Sequence, residues 1–232
     1  MLAALCLFTT TTTTTLFPLL AGADAIKSRT TNPALNAALK AAASNFDRQA
    51  LLPSNDDWVY DFNLHPNFNS PTGAVLIADA PSFPALTTHG MTISLLKLAA
   101  CGMLPPHLHP RATNLVTAVT GNTTTYMIAE NGVRPVVTQL TPMKMTIFPA
   151  GSLHSMQNND CNPALLISAL NSEDTGTNNI LPSLWDMPWD IIQAAFGNAG
   201  LDTQSTGGNI PAVGTGAIIG SAECKKRCGI QD

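Results

Sequence analysis

Residues 102–114 read Gly102-Met-Leu-Pro-Pro-His107-Leu-His109-Pro-Arg-Ala-Thr-Asn114, and this stretch decides the fold. If His107 and His109 lie on one extended segment, their i, i+2 spacing puts both imidazoles on the same face. A third histidine, His154, follows in Phe148-Pro-Ala-Gly-Ser-Leu-His154, after a strand and a turn. The chain has only five histidines, so three of them fall in these two stretches. Three neutral imidazoles converging inside a barrel suit a first-row divalent metal such as Mn, Fe, Zn or Cu. His65 and His89 lie in turn-like sequence and are expected on loops.

Working outward, short apolar runs separated by Pro, Gly, Asn and Thr clusters predict strands over 58–62, 74–78, 91–98, 115–119, 123–129, 136–140, 145–148 and 164–170. Short strands at this spacing signal a sandwich or barrel. Upstream, 34–46 is rich in helix formers, with Asn32 placed to cap it and Pro33 suited to its first turn. Downstream, 182–196 reverts to helical spacing and ends at Gly197; its Trp185 and Trp189 are expected to pack on the barrel. The expected organisation is a leader over 1–23, an extension with a short helix over 24–56, the barrel and its helix over 57–200, and a flexible Gly-, Ser- and Thr-rich tail over 201–232.

Residues 1–23 carry two apolar stretches and end in Ala21-Gly22-Ala23, the small-x-small pattern of a cleaved signal peptide. Seven threonines interrupt them, and the segment is too short and polar to span about 30 Å of hydrocarbon. Composition agrees with a secreted protein: 45% of residues are hydrophobic and only 11% charged, with a net charge of −4. That balance, without a basic stripe, excludes a nucleic-acid partner. Of five cysteines, Cys6 lies in the leader, leaving Cys101, Cys161, Cys224 and Cys228. Four cysteines in a secreted chain imply paired disulfides, with three connectivities open. Asn122-Thr123-Thr124 is a glycosylation sequon at Asn122.

The two histidine stretches resemble the signature motifs of germins, germin-like proteins and spherulin-like secreted cupins. His107-x-His109 is followed by four residues, Asn114, six residues and Gly121, against a family pattern of His-x-His, Glu and Gly. Pro149, Gly151, His154 and Asn158 match the second motif at its spacing. Asp47-Arg48 and Cys101-Gly102 resemble the fungal and slime-mould branch. The resemblance covers about residues 45–200 and implies an all-β cupin (jelly-roll) barrel with flanking helices. It further implies a divalent metal, manganese, on His107, His109 and His154, and a homo-oligomer built through barrel faces and helical extensions. It also implies a Cys101–Cys161 bridge, with Cys224 and Cys228 as the second pair.

Two positions depart from the pattern. Met143 stands where the second motif opens with Gly, so it must avoid a left-handed backbone or bear strain there; Pro142 suggests a rearranged turn. Asn114 stands where the family has its metal-binding Glu. An amide offers a dipolar oxygen on a shorter arm, and the site charge rises from +1 to +2. That disfavours the higher oxidation state needed by an oxalate oxidase, oxalate decarboxylase or superoxide dismutase type of chemistry, while three imidazoles alone still form an adequate site. The expectations are therefore a metal-binding secreted cupin, or else a non-enzymatic extracellular wall, storage or stress-associated barrel, or one binding a small molecule or sugar.

Overall fold

The computed structural model describes residues 31–200 and 202–231; the expected leader lies outside the described residues. Helix α1 (Pro33–Ala41) starts as its sequence predicts: the Asn32 side chain accepts from the Leu35 amide and Pro33 occupies the first turn. It stops at Ala41, short of the expected Phe46, because Ala42 turns extended and Ser44 caps a second helix, α2 (Asn45–Ala50).

The stretch 58–62, expected as a strand, instead ends one 3-10 turn (Asn55–Trp58) and begins another (Phe62–Leu64). Ser54 and Asp57 form a reciprocal capping box on the first, and Asp61 accepts from Asn63 on the second. These local side-chain bonds offer the backbone partners that compete with a strand ladder, against the β preference of Trp, Val, Tyr and Phe.

Nine strands then build two antiparallel sheets: β1 (Gly73–Ala78), β2 (Thr92–Leu98), β3 (Gly102–Leu108), β4 (Asn114–Thr120), β5 (Thr123–Ile128), β6 (Val136–Leu140), β7 (Met145–Phe148), β8 (Leu153–Asn158) and β9 (Ala164–Leu170). One sheet runs β1-β2-β9-β4-β7. The other runs β3-β8-β5-β6, extended beyond β3 by β10 (Asn178–Asn179). The crossing order makes a jelly roll. Leu96, Val116, Leu140, Phe148, Met156 and Leu166 close its core. Asn158, the last residue of the second motif, is fully buried; its amide donates to the Ala99 and Asn162 carbonyls and pins the end of β8. Gly121 has φ +82, and a Cβ there would lie 2.4 Å from the Ala164 Cβ, so only glycine fits the β4–β5 turn.

Met143 takes the left-handed conformation outright, with φ +69. Of the two outcomes expected there, the chain bears the strain, at about 1–2 kcal/mol for a side chain in that region.

The helical stretch after the barrel is split by Pro188 into α3 (Ile180–Trp185) and α4 (Trp189–Ala195). The tail expected to be flexible is built. It contains α5 (Thr203–Gly208), the short strand β11 (Ile218–Ile219) paired with β3, and α6 (Ala222–Cys228). Ala217 enters the core and the Gly220 amide donates to Cys101 O.

The disulfide pairing differs from that implied by resemblance. Cys101 and Cys161 do come close, the Cys101 amide donating to Asp160 O. However, α6 lies between them and links both, as Cys101–Cys224 and Cys161–Cys228. Cys224 and Cys228 are one helical turn apart on one face, so each takes a different partner on the barrel.

Candidate metal centre

His107 sits in β3, His109 just beyond its end and His154 in β8, with His107 directly opposite His154 in the ladder. Leu104 pairs with Met156, so three steps along β3 match two along β8. The extra residue is a bulge at Pro105-Pro106, where prolines can supply no ladder amide. The bulge changes which side of the sheet His107 faces. In strict alternation with the inward Leu104, position 107 would point outward; after the bulge it is 7% exposed.

The ring centroids lie 4.3 Å apart for His107 and His154, and 5.3 Å for His109 with either. One nitrogen from each ring lies within 4.8 Å of the others. In every ring Nδ1 is engaged: to Pro105 O at 2.7 Å for His107, Gly176 O at 2.8 Å for His109, and Ser152 O at 2.9 Å for His154. A carbonyl can only accept, so each Nδ1 carries the proton and each Nε2 presents a lone pair. His154 Nε2 is buried and has no hydrogen-bond partner among the described residues. Such an orphaned acceptor, aimed at two like it, fits a bound cation.

Burial pushes the His154 imidazole down to about 3 and that of His107 to about 4, with neighbouring rings adding to the effect; burial also lowers His109. The cluster is therefore neutral at physiological pH, the form that ligates metal. Phe148 stacks on His154 at 4.3 Å and 10° and fixes its plane. The Gly151 amide donates to His109 O and ties the two motifs together.

Asn114 opens β4, pairs with Phe148 and Leu170, and is 3% exposed. Its Oδ1 accepts from the Ser168 hydroxyl at 2.6 Å. The residue thus faces the barrel interior, as a ligand position should, but its oxygen is already engaged. Sequence reading missed Ser168, a polar inward position in the apolar run of β9, and Gly176, whose carbonyl orients His109. Arg111 binds Asp174. Asn122 lies in the β4–β5 turn, where its Oδ1 accepts from Gln139.

The cupin sequence profile matches residues 62–204, and the chain belongs to that family. Within it, the protein is spherulin- and germin-like. It is 30% identical to spherulin-1A of Physarum polycephalum over 210 residues, covering 89% of this chain and 84% of that one. It is 32% identical to germin-like protein 1-1 of Oryza sativa subsp. japonica over 61% of this chain and 68% of that one. An oxalate oxidase structure superposes with a TM-score of 0.59 at 20% identity, over 66% of this chain and 78% of that one, a likeness of fold.

Proposed function

We propose that this protein is a secreted cupin that holds one divalent metal ion on His107, His109 and His154, with manganese the ion its family resemblance implies. The observation that carries the reading is the convergence of the three rings: each Nδ1 lies against a carbonyl, and one nitrogen of each ring lies within 4.8 Å of the others. A bound ion would supply a Lewis-acidic charge in a largely water-excluded site. The chain's own part is to keep the rings neutral, oriented and backed by Phe148. The two disulfides support an oxidising compartment, and Asn122 is the glycosylation position. Metal analysis of the secreted protein tests this. Near-stoichiometric divalent metal, lost in His154→Ala, is the expected result, and metal-free wild type would defeat it.

The Asn114–Ser168 bond favours a second reading, in which the barrel serves as an extracellular wall, storage or stress-associated protein without redox turnover. A neutral ligand set leaves a +2 charge on the centre, which stabilises a higher oxidation state poorly. Superoxide and oxalate turnover by the metal-loaded wild type would rule that reading out.

Self-association is part of the proposal. The outward positions of β9, β4 and β7 include Leu115, Val119, Met145, Ile147, Ile167 and Ala169, with Thr117 among them and no charged residue. An antiparallel sheet facing water alternates with polar residues; this half does not. Leu115, Val119, Met145, Ile147 and Ile167 are each more than a third exposed, and a contiguous uncovered apolar face of this kind marks an interaction surface. A second copy of the chain is the proposed occupant.

A further inference from the structure

Two of the three histidines are oriented by their own strands. His107 and His154 each donate from Nδ1 to a carbonyl two residues back, so their tautomers hold wherever the barrel holds. His109 differs. Its nearer partner, Gly176 O at 2.8 Å, lies 67 residues along the chain, in the connection between β9 and β10, with the Thr177 hydroxyl at 3.5 Å from the same nitrogen.

The ends of that connection are held by the Ala80 amide on Glu173 O and by the pairing of Asn178 with Leu108; between them Arg111 holds Asp174 through its side chain and Thr175 through its main-chain amide. The Arg111 amide donates to Thr175 O at 3.2 Å, its Nε to Asp174 O at 2.8 Å and its Nη2 to Asp174 Oδ1 at 2.9 Å. Gly176 has φ +66, and a Cβ there would lie 2.9 Å from both Arg111 Nη2 and Pro110 Cγ. Side chain and glycine backbone are fitted to each other, and no other residue could occupy position 176 without moving the guanidinium.

We infer that Arg111 is a positioning residue for the metal centre: by docking residues 174–176 it holds the Gly176 carbonyl on His109 Nδ1 and so keeps His109 Nε2 free to ligate. The inference rests on the three-histidine reading above. The proton of a neutral imidazole goes to whichever nitrogen has the better acceptor. Without the carbonyl, Nε2 of His109 takes up the proton for part of the time, and that proton blocks coordination. Arginine suits the task because its fork reaches a main-chain and a side-chain oxygen of Asp174 together, which lysine cannot. The Arg111–Asp174 ion pair is about half exposed on both sides, so it adds little to global stability. Its consequence is local geometry.

Nitrogen-15 histidine spectra of the metal-free protein report the tautomer of each ring, independently of any metal. The wild type is expected to show Nδ1–H at all three. In Arg111→Ala, His109 is expected to become a mixture of tautomers while His107 and His154 stay unchanged; Arg111→Lys restores only part. Zinc affinity of Arg111→Ala falls about tenfold or more, the scale of outer-shell effects, with the metal-free melting temperature essentially unaltered. An unchanged His109 tautomer in Arg111→Ala overturns the inference, as does a zinc loss with all three rings unchanged. A wild type that takes up no zinc would defeat the metal reading, while the tautomers still decide the positioning role.

Discussion

The Ser168 hydroxyl donates to Asn114 Oδ1 at 2.6 Å inside the barrel. The two strands that carry them are neighbours, Asn114 facing Leu170 and Ser168 facing Val116 across the β4–β9 ladder. The bond answers what the amide does at the position where the motif this stretch resembles calls for a carboxylate: it satisfies its oxygen within the protein. Both residues are nearly excluded from solvent, so an unpaired oxygen there would cost about 1–3 kcal/mol.

Replacing Asn114 by Glu should therefore raise manganese affinity, by about tenfold or more if the added carboxylate reaches the ion. The negative charge offsets the +2 of the three-histidine centre, and the longer arm extends past Ser168. Titration with Mn(II), followed by its electron paramagnetic resonance signal, reads the change. Equal affinity in the two proteins would show that position 114 does not address the ion.

Folding stability of the metal-free protein should fall as pH drops below about 6.5, the ordinary histidine value. Folded His107 and His154 titrate near 4 and 3, and His109 is lowered as well. Between those values and 6.5 the unfolded chain binds protons that the folded chain refuses, so stability present above 6.5 is lost progressively with acidification. Melting temperatures measured in chelator from pH 7.5 to 5 test this. His154→Asn should flatten the slope; an unchanged slope would mean that His154 does not stay neutral in the folded state.

How much of this was legible in the sequence depends on range. The i, i+2 histidines and the third histidine after a strand and a turn were visible as a group, and of eight strand-like runs seven became strands. The bulge that turns His107 inward was written only as Pro105-Pro106 and is decided by the register against β8. Trp58 to Phe62 misled because side-chain caps outweighed β propensity. The tail misled because the order of residues 202–231 does not come from periodicity; it comes from β3, the core position of Ala217 and two covalent bonds. Gly176 and Ser168 gave no local signal, since each matters through a partner more than fifty residues away.

The disulfides should act as the tail's anchors. Peptide mapping without reduction is expected to recover Cys101–Cys224 and Cys161–Cys228; a Cys101–Cys161 peptide would contradict the structure. The Cys101–Cys224 bond closes 123 residues, for which chain entropy gives on the order of 4–5 kcal/mol. The Cys101→Ser, Cys224→Ser pair should lower the melting temperature and expose the tail to proteolysis.

Changing Ile147 to Lys addresses the uncovered sheet face. Ile147 is 49% exposed on the edge strand β7, opposite Leu115, so a lysine can reach water without disturbing the core. In a dimer built on this face, the same position on both copies brings extra charge into an apolar contact, and like charges desolvated together oppose association. Light scattering coupled to gel filtration should show the wild type as an oligomer and Ile147→Lys shifted toward the monomer, with circular dichroism unchanged. A monomeric wild type would remove self-association altogether. An oligomer of unaltered mass in the variant would instead move the interface to another surface, with the half-exposed Trp189 and Ile191 of α4 the next to substitute. Because Ile147 faces away from the barrel interior, metal content should be the same in both proteins, which separates the assembly from the centre it surrounds.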